Sequence, residues 1–174
     1  GKDDSREGFI RKHLKSNINP KFFYCPDQPT IVKRRFVDPN HYTKYFEEYI
    51  FNKSFLPVTV ELSVANHLRK NLSKYDLVIV VDYGHGFLSQ RLINIISKKS
   101  KFLAANAQTN SGNAGFNYII KYPRVDYACL DEPEARLAVQ DNFSDIKDVF
   151  LKLENKMNVK KIVITRGHRG SMTY

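Results

Sequence analysis

Four short stretches of this chain carry side chains suited to chemistry, and each follows an apolar run. They are Asp82-Tyr83-Gly84-His85-Gly86, Asn106-Ala107-Gln108, Asp131 with Glu134, and Thr165-Arg166-Gly167 with Gly170. Together they supply backbone amides in glycine turns, a hydroxyl, cations and carboxylates, the groups that hold phosphate and magnesium. Taken singly, each has a plainer reading. Glycines permit tight turns, Asp131 and Glu134 can cap a helix, and His85 can be an ordinary loop residue. His85 is the one candidate acid or base in this region. The sequence contains no Gly-Lys-Ser/Thr phosphate loop, which disfavours a P-loop nucleotidase.

The elements that must position these groups read as alternating strands and helices. Leu77-Val78-Ile79-Val80-Val81 is apolar throughout and mostly β-branched, which suits a strand buried on both faces. Ser89 then stands as an N-cap before Leu92, Ile93, Ile95 and Ile96 at helical spacing. Residues 101–105, 125–130 and 161–165 read as three further buried strands. Between the last two, Asp131-Glu132-Pro133-Glu134 opens a helix with acidic groups in its first turn, and a second helix is expected over 144–157. A helix over 60–72 leads into the strand at Leu77. The alternation predicts an α/β fold with a mostly parallel sheet and helices on both faces, so the four stretches share the sheet's carboxyl edge, where ligands bind in such sheets.

The first third of the chain reads differently. A helix over 5–14, with Asp3, Asp4 and Ser5 to cap it, precedes expected strands at 21–25 and 30–37, the turn Asp38-Pro39-Asn40 and an extended segment over 42–51. These strands form a small projecting β unit, and its exposed edge invites pairing with another chain.

At 174 residues the chain has the length of one domain. No apolar run approaches the ~20 residues of a membrane span, and Cys25 and Cys129 lack metal-ligand spacing, so a reduced cytoplasmic setting is expected. The net charge of +10 is dispersed over Lys33-Arg34-Arg35, Lys98-Lys99, Lys160-Lys161 and Arg166/Arg169, without a nucleic-acid-binding motif. A solvated basic surface is the expectation, and nucleic acid is disfavoured as a partner.

On these residues the sequence resembles the PfkB, or ribokinase-like, carbohydrate kinases, among them the heptose 7-phosphate kinases. Gly1-Lys2-Asp3 is similar to the family's G-x-D, Pro29-Thr30-Ile31-Val32-Lys33-Arg34-Arg35 to its P-T-x-x-K-x-R strand, residues 82–86 to its D-Y-x-K-G loop, and residues 165–170 to its T-x-G-x-x-G turn. The resemblance implies ATP as donor, Mg²⁺ between the phosphates and a sugar or sugar phosphate as acceptor. It implies that Lys33, Arg35 and Asp82 hold the acceptor, that Thr165, Gly167, Gly170 and Asp131 hold the nucleotide, and that Glu134 orients the metal through water. It also implies that residues 21–51 serve as a lid and as the contact of a homodimer.

The chain departs from that pattern at His85 in place of a lysine, at Asn106-Ala107-Gln108 in place of D-P-K, and at Asp131 in place of the asparagine of N-x-x-E. The family's glycine-rich sugar segment and its G-A-G-D motif correspond to nothing in these residues. The chain therefore reads as the middle of such a domain, and no sugar-kinase turnover is expected of it alone. The alternative is a non-catalytic ribokinase-like module that binds a nucleotide or sugar, or that mediates dimerisation.

Overall fold

A computed structural model describes residues 6–26, 28–51, 54–157, 159 and 161–174. The Gly1-Lys2-Asp3 motif, the expected caps Asp3, Asp4 and Ser5, and Lys160 lie outside the described residues. The helices are α1 (Arg6–His13), α2 (Val58–Asn71), α3 (Gln90–Lys99), α4 (Glu132–Val139) and α5 (Ile146–Met157). The strands are β1 (Val32–Val37), β2 (Lys44–Ile50), β3 (Val78–Asp82), β4 (Leu103–Ala107), β5 (Tyr127–Asp131), β6 (Ile162–Thr165) and β7 (Ser171–Thr173).

The main sheet has the order β3-β4-β5-β6-β7, parallel from β3 to β6 and closed by antiparallel β7. This is the expected mostly parallel α/β arrangement. Its core lies where Val80, Leu103, Ala105, Ala128, Leu130, Ile162 and Ile164 meet Ile93 and Ile96 of α3, Ala135 and Ala138 of α4, and Val149, Phe150 and Leu153 of α5. Each large apolar side chain buried there contributes about 1.5–3 kcal/mol. Ser89 caps α3 by accepting from the Leu92 N–H, so the cap and the apolar stripe together fix where that helix begins.

Two expectations are corrected. The β3 run is buried on one face only: Val80 is buried, whereas Ile79 and Val81 are 66% and 54% exposed. Among the described residues β3 is the sheet's edge and pairs with β4 alone, and the core cluster gathers on the Val80 side. Residues 21–25 form no strand. Phe23 packs instead against the Val64, Ala65 and Leu92 cluster, with its ring edge-on to His67 at 5.6 Å, so burial against α2 replaces a ladder partner.

The β unit is the antiparallel pair β1 and β2, with Lys33 opposite Tyr49 and Arg35 opposite Glu47. Asp38 closes its turn by accepting from the backbone N–H of Asn40 and of His41. Residues directly opposite share a face, so Lys33, Arg35, Glu47 and Tyr49 line one side and Phe36 and Phe46 the other.

Candidate functional site

The loops that end β3, β4, β5 and β6 gather at the carboxyl edge of the sheet and divide into two regions. The first surrounds Asp82. Its carboxylate is buried and accepts from the Gly84 N–H at 2.9 Å, from the Tyr122 hydroxyl at 2.8 Å and from Lys121 at 2.6 Å. Burial, and then the adjacent Asp82 charge, push the Tyr122 hydroxyl far above its ordinary range. Asp82, assigned to the acceptor from the sequence, therefore has its oxygens occupied within the protein.

The loop after β4 is an amide clasp on this region. Asn117 donates to the Asp82 and Gln108 carbonyls, Asn113 to those of Gln108 and Tyr83, and Asn110 to that of Tyr83. Asn106 turns away and donates to the Cys129 carbonyl. Gly84, at φ 67°, leaves room for this clasp, because a Cβ there would lie 2.6 Å from Asn113 and Asn117.

His85 sits among aromatic rings, with Phe51 at 5.0 Å, Tyr49 at 6.1 Å and Tyr83 stacked at 6.3 Å. The β unit thus meets the β3 loop through Tyr49 and Phe51. The His85 Nε2 is buried and has no hydrogen-bond partner among the described residues. Together with Asp82, Lys121 and Phe116 it lines a cavity of about 260 Å³. Lys33 and Arg35 lie outside that cavity. Glu47 lies 3.5 Å from Lys33 and 2.7 Å from Arg35, and Lys33 also stands over the Tyr49 ring at 4.8 Å.

The second region follows β5 and β6. Asp131 caps α4 by accepting the Glu134 N–H at 2.7 Å, and Glu134 accepts the Asp131 N–H at 3.0 Å and the Thr109 N–H at 3.1 Å. Glu134 therefore ties the β4 loop to the start of α4. Burial, with the Asp131 charge nearby, raises its carboxyl above the ordinary range, and the two N–H donors oppose this. The turn after β6 places Gly167 at φ 58° and Gly170 at φ 79°, and open space surrounds both α-carbons. The Thr165 hydroxyl donates to the Leu130 carbonyl.

Glu132, buried beside this turn, receives three guanidinium groups. Arg136 is 2.9 Å away, Arg166 2.8 Å and Arg169 2.7 Å. The Arg166 hydrogen bond is the chief reason the Glu132 carboxyl titrates below its usual range. The three arginines and Glu132 line a groove of about 1120 Å³ that also receives Thr165, Gly167, Leu137, Phe143 and the carboxylates of Asp131 and Asp141, so its three cations are matched by three acids.

The sequence reading missed Lys121 and Tyr122 as partners of Asp82, and Glu132 as the hub of the arginines. Asn110, Asn113 and Asn117 are the sequence signal for the amide clasp around the Asp82 loop rather than for these partners. Among the described residues, no group of three or more His, Cys, Asp or Glu side chains is placed to hold a metal ion. Glu134, the residue expected to orient Mg²⁺, has both carboxylate oxygens engaged by the backbone N–H groups of Asp131 and Thr109.

No protein-family model matches the chain, and no curated protein matches it in sequence. Solved structures do. Ribokinase from Giardia lamblia superposes with a TM-score of 0.59 at 17% identity, over 84% of this chain and 46% of that one. Phosphofructokinase-2 from Escherichia coli gives 0.55 at 9% identity, over 74% and 43%, and its tetrameric inhibited form gives 0.52 at 12% identity, over 74% and 43%. The chain spans less than half the length of these structures. Identities this low speak for architecture alone, and the architecture is a part of the ribokinase-like fold.

Proposed function

We propose that this chain is part of an ATP-dependent kinase that transfers a phosphoryl group to a hydroxyl of a sugar or sugar phosphate, heptose phosphates included. The observation that carries the reading is the Thr165–Gly170 turn, which lies at the end of a parallel strand beside a groove lined by Arg136, Arg166 and Arg169. In this reading Thr165, Gly167, Gly170 and Asp131 hold the phosphates, and Glu134 positions Mg²⁺ through water. The metal neutralises phosphate charge when bound. Asp82, Lys33 and Arg35 face the acceptor side, with Glu47 as counter-ion to the two cations, and His85 is the candidate acid or base there. The β unit acts as a lid and as the contact of a homodimer. The free cysteines, Cys25 and Cys129, and the lack of any membrane-length apolar helix among the described residues support a cytoplasmic setting.

Titration calorimetry with ATP·Mg²⁺ tests the nucleotide half of this reading. Gly167→Asn adds bulk at the turn while tolerating the left-handed backbone, and it should weaken binding about tenfold. Unaltered affinity in that variant and in Glu134→Ala would count against both roles. A second reading, a binding or dimerisation module without turnover, draws support from the internal engagement of Asp82 and Glu134.

A further inference from the structure

We infer that the amino edge of the main sheet, opposite the candidate site, is a docking surface for an anionic lipid bilayer, to which the chain attaches peripherally. The inference stands on the fold and is independent of the kinase reading.

Lysines that lie far apart in sequence precede successive strands, and parallel strands begin on the same side of the sheet. Lys74 stands before β3, Lys98, Lys99 and Lys101 before β4, and Lys156 and Lys161 before β6, and all six are exposed. Neighbouring strands lie about 4.8 Å apart, so the row from β3 to β6 is about 14 Å wide, less than two Debye lengths of ~8 Å in physiological salt. Its charges therefore act together.

Acids do not match this row. Asp76 is engaged by Lys101 at 2.9 Å, Asp126 by Arg124 at 2.7 Å, and Glu154 accepts the Tyr174 hydroxyl at 2.9 Å. The other five lysines form no ion pair among the described residues. Lys74 donates to the Asn71 side chain, and the Lys161 ammonium lies 5.5 Å from the centre of the Phe102 ring. Helix ends explain part of the pattern, since Lys98, Lys99 and Lys156 lie in the last turns of α3 and α5, where cations are favoured. Lys101 and Lys161 lie beyond those turns. At the opposite edge, by contrast, acids match Lys121 and the arginines.

Apolar groups among the lysines decide the class of partner. Tyr75 and Leu77 follow Lys74 and are 58% and 50% exposed, and Leu77 shares its face of the strand with the exposed Ile79 and Val81. A phosphate backbone offers nothing to an exposed leucine. A bilayer takes aliphatic groups into its acyl boundary, a tyrosine at headgroup level and lysine ammoniums at the lipid phosphates. Docked in this way, the chain keeps its carboxyl edge open to solvent.

The test is co-sedimentation of this chain with vesicles of phosphatidylcholine alone and of phosphatidylcholine mixed equally with phosphatidylserine, at low and at high salt. The mixed vesicles should bind the chain, the neutral ones at least about tenfold more weakly, and high salt should remove most of the binding. Lys98→Glu combined with Lys99→Glu should weaken binding at least about tenfold, and Tyr75→Ala about three- to tenfold. The same reversal at Lys12 and Lys15, in and just after the α1 that contacts Phe22 and Tyr24, should change it less than about threefold. Equal binding to the two kinds of vesicle, an equal loss from the Lys12 and Lys15 reversal, or unaltered affinity in Tyr75→Ala would each overturn the inference. So would tighter retention of a single-stranded oligonucleotide than of mixed vesicles at matched phosphate concentration, which would assign the edge to nucleic acid.

Discussion

The Asp82 carboxylate oxygen that accepts the Tyr122 hydroxyl at 2.8 Å also lies 2.6 Å from the Lys121 ammonium. The three groups come from β3 and from the turn before β5, so one buried carboxylate fastens two loops at the sheet's working edge. Removing one partner of a buried pair leaves the other uncompensated. Asp82→Ala should therefore cost about 3–5 kcal/mol, and Tyr122→Phe about 1–3 kcal/mol through the acceptor it leaves short. Urea denaturation measures both. A loss below about 1 kcal/mol for Asp82→Ala would mean that the carboxylate serves a ligand rather than the fold.

Glu132 should make the protein acid-sensitive. Its folded carboxyl titrates below its unfolded value, chiefly through Arg166, so its stabilising contribution is complete above the ordinary glutamate value of 4.5. That contribution is lost as pH falls through the folded value. Glu134 acts in the opposite sense, because burial raises its carboxyl, and stability falls as pH rises from 4.5 through its folded value. Glu132→Gln should cost about 2 kcal/mol at neutral pH, and thermal melts of variant and parent should converge below pH 4.5. A gap that stays constant across that range would exclude the charge-based account.

The two glycines of the β6 turn should respond differently to substitution. Gly170 combines φ 79° with ψ −138°, a conformation open to glycine and strained for other residues, so Gly170→Ala should cost about 1–3 kcal/mol. Gly167 at φ 58° lies in the left-handed region that asparagine visits, and Gly167→Asn should stay within about 1 kcal/mol of the parent. Chemical denaturation of the two variants side by side checks the ordering.

The outer face of the β unit carries the proposed dimer contact. Phe36 and Phe46 stack at 4.2 Å there and are 38% and 57% exposed. Phe46→Lys should convert a dimer to monomer without unfolding the sheet. Light scattering that reports only monomer for the parent at high concentration would remove this contact from the account.

Much of this architecture was legible because local signals agreed with one another. Ser89 and the stripe Leu92, Ile93, Ile96 point to the same helix start, and Asp131 and Glu134 announce the capping box that opens α4. The open face of β3 was not legible, since five apolar residues in a row do not say whether a neighbour covers each face. Nor were the long-range partnerships. Asp82 and Tyr122 are 40 positions apart and Glu132 and Arg169 are 37 apart, and no periodicity links such pairs before the sheet brings them together.

The central claim is that nucleotide phosphates bind at the turn after β6, and backbone amide shifts on addition of ATP·Mg²⁺ read it most directly. The account predicts that the largest shifts fall on Arg166, Gly167, Arg169 and Gly170, with smaller ones at Glu134 and Thr109 through their shared hydrogen bond. It also predicts that Gly167→Asn moves the appearance of this pattern to about tenfold higher ATP·Mg²⁺. Amides of residues 165–170 that stay in place while shifts appear only along the lysines of the surface would contradict it.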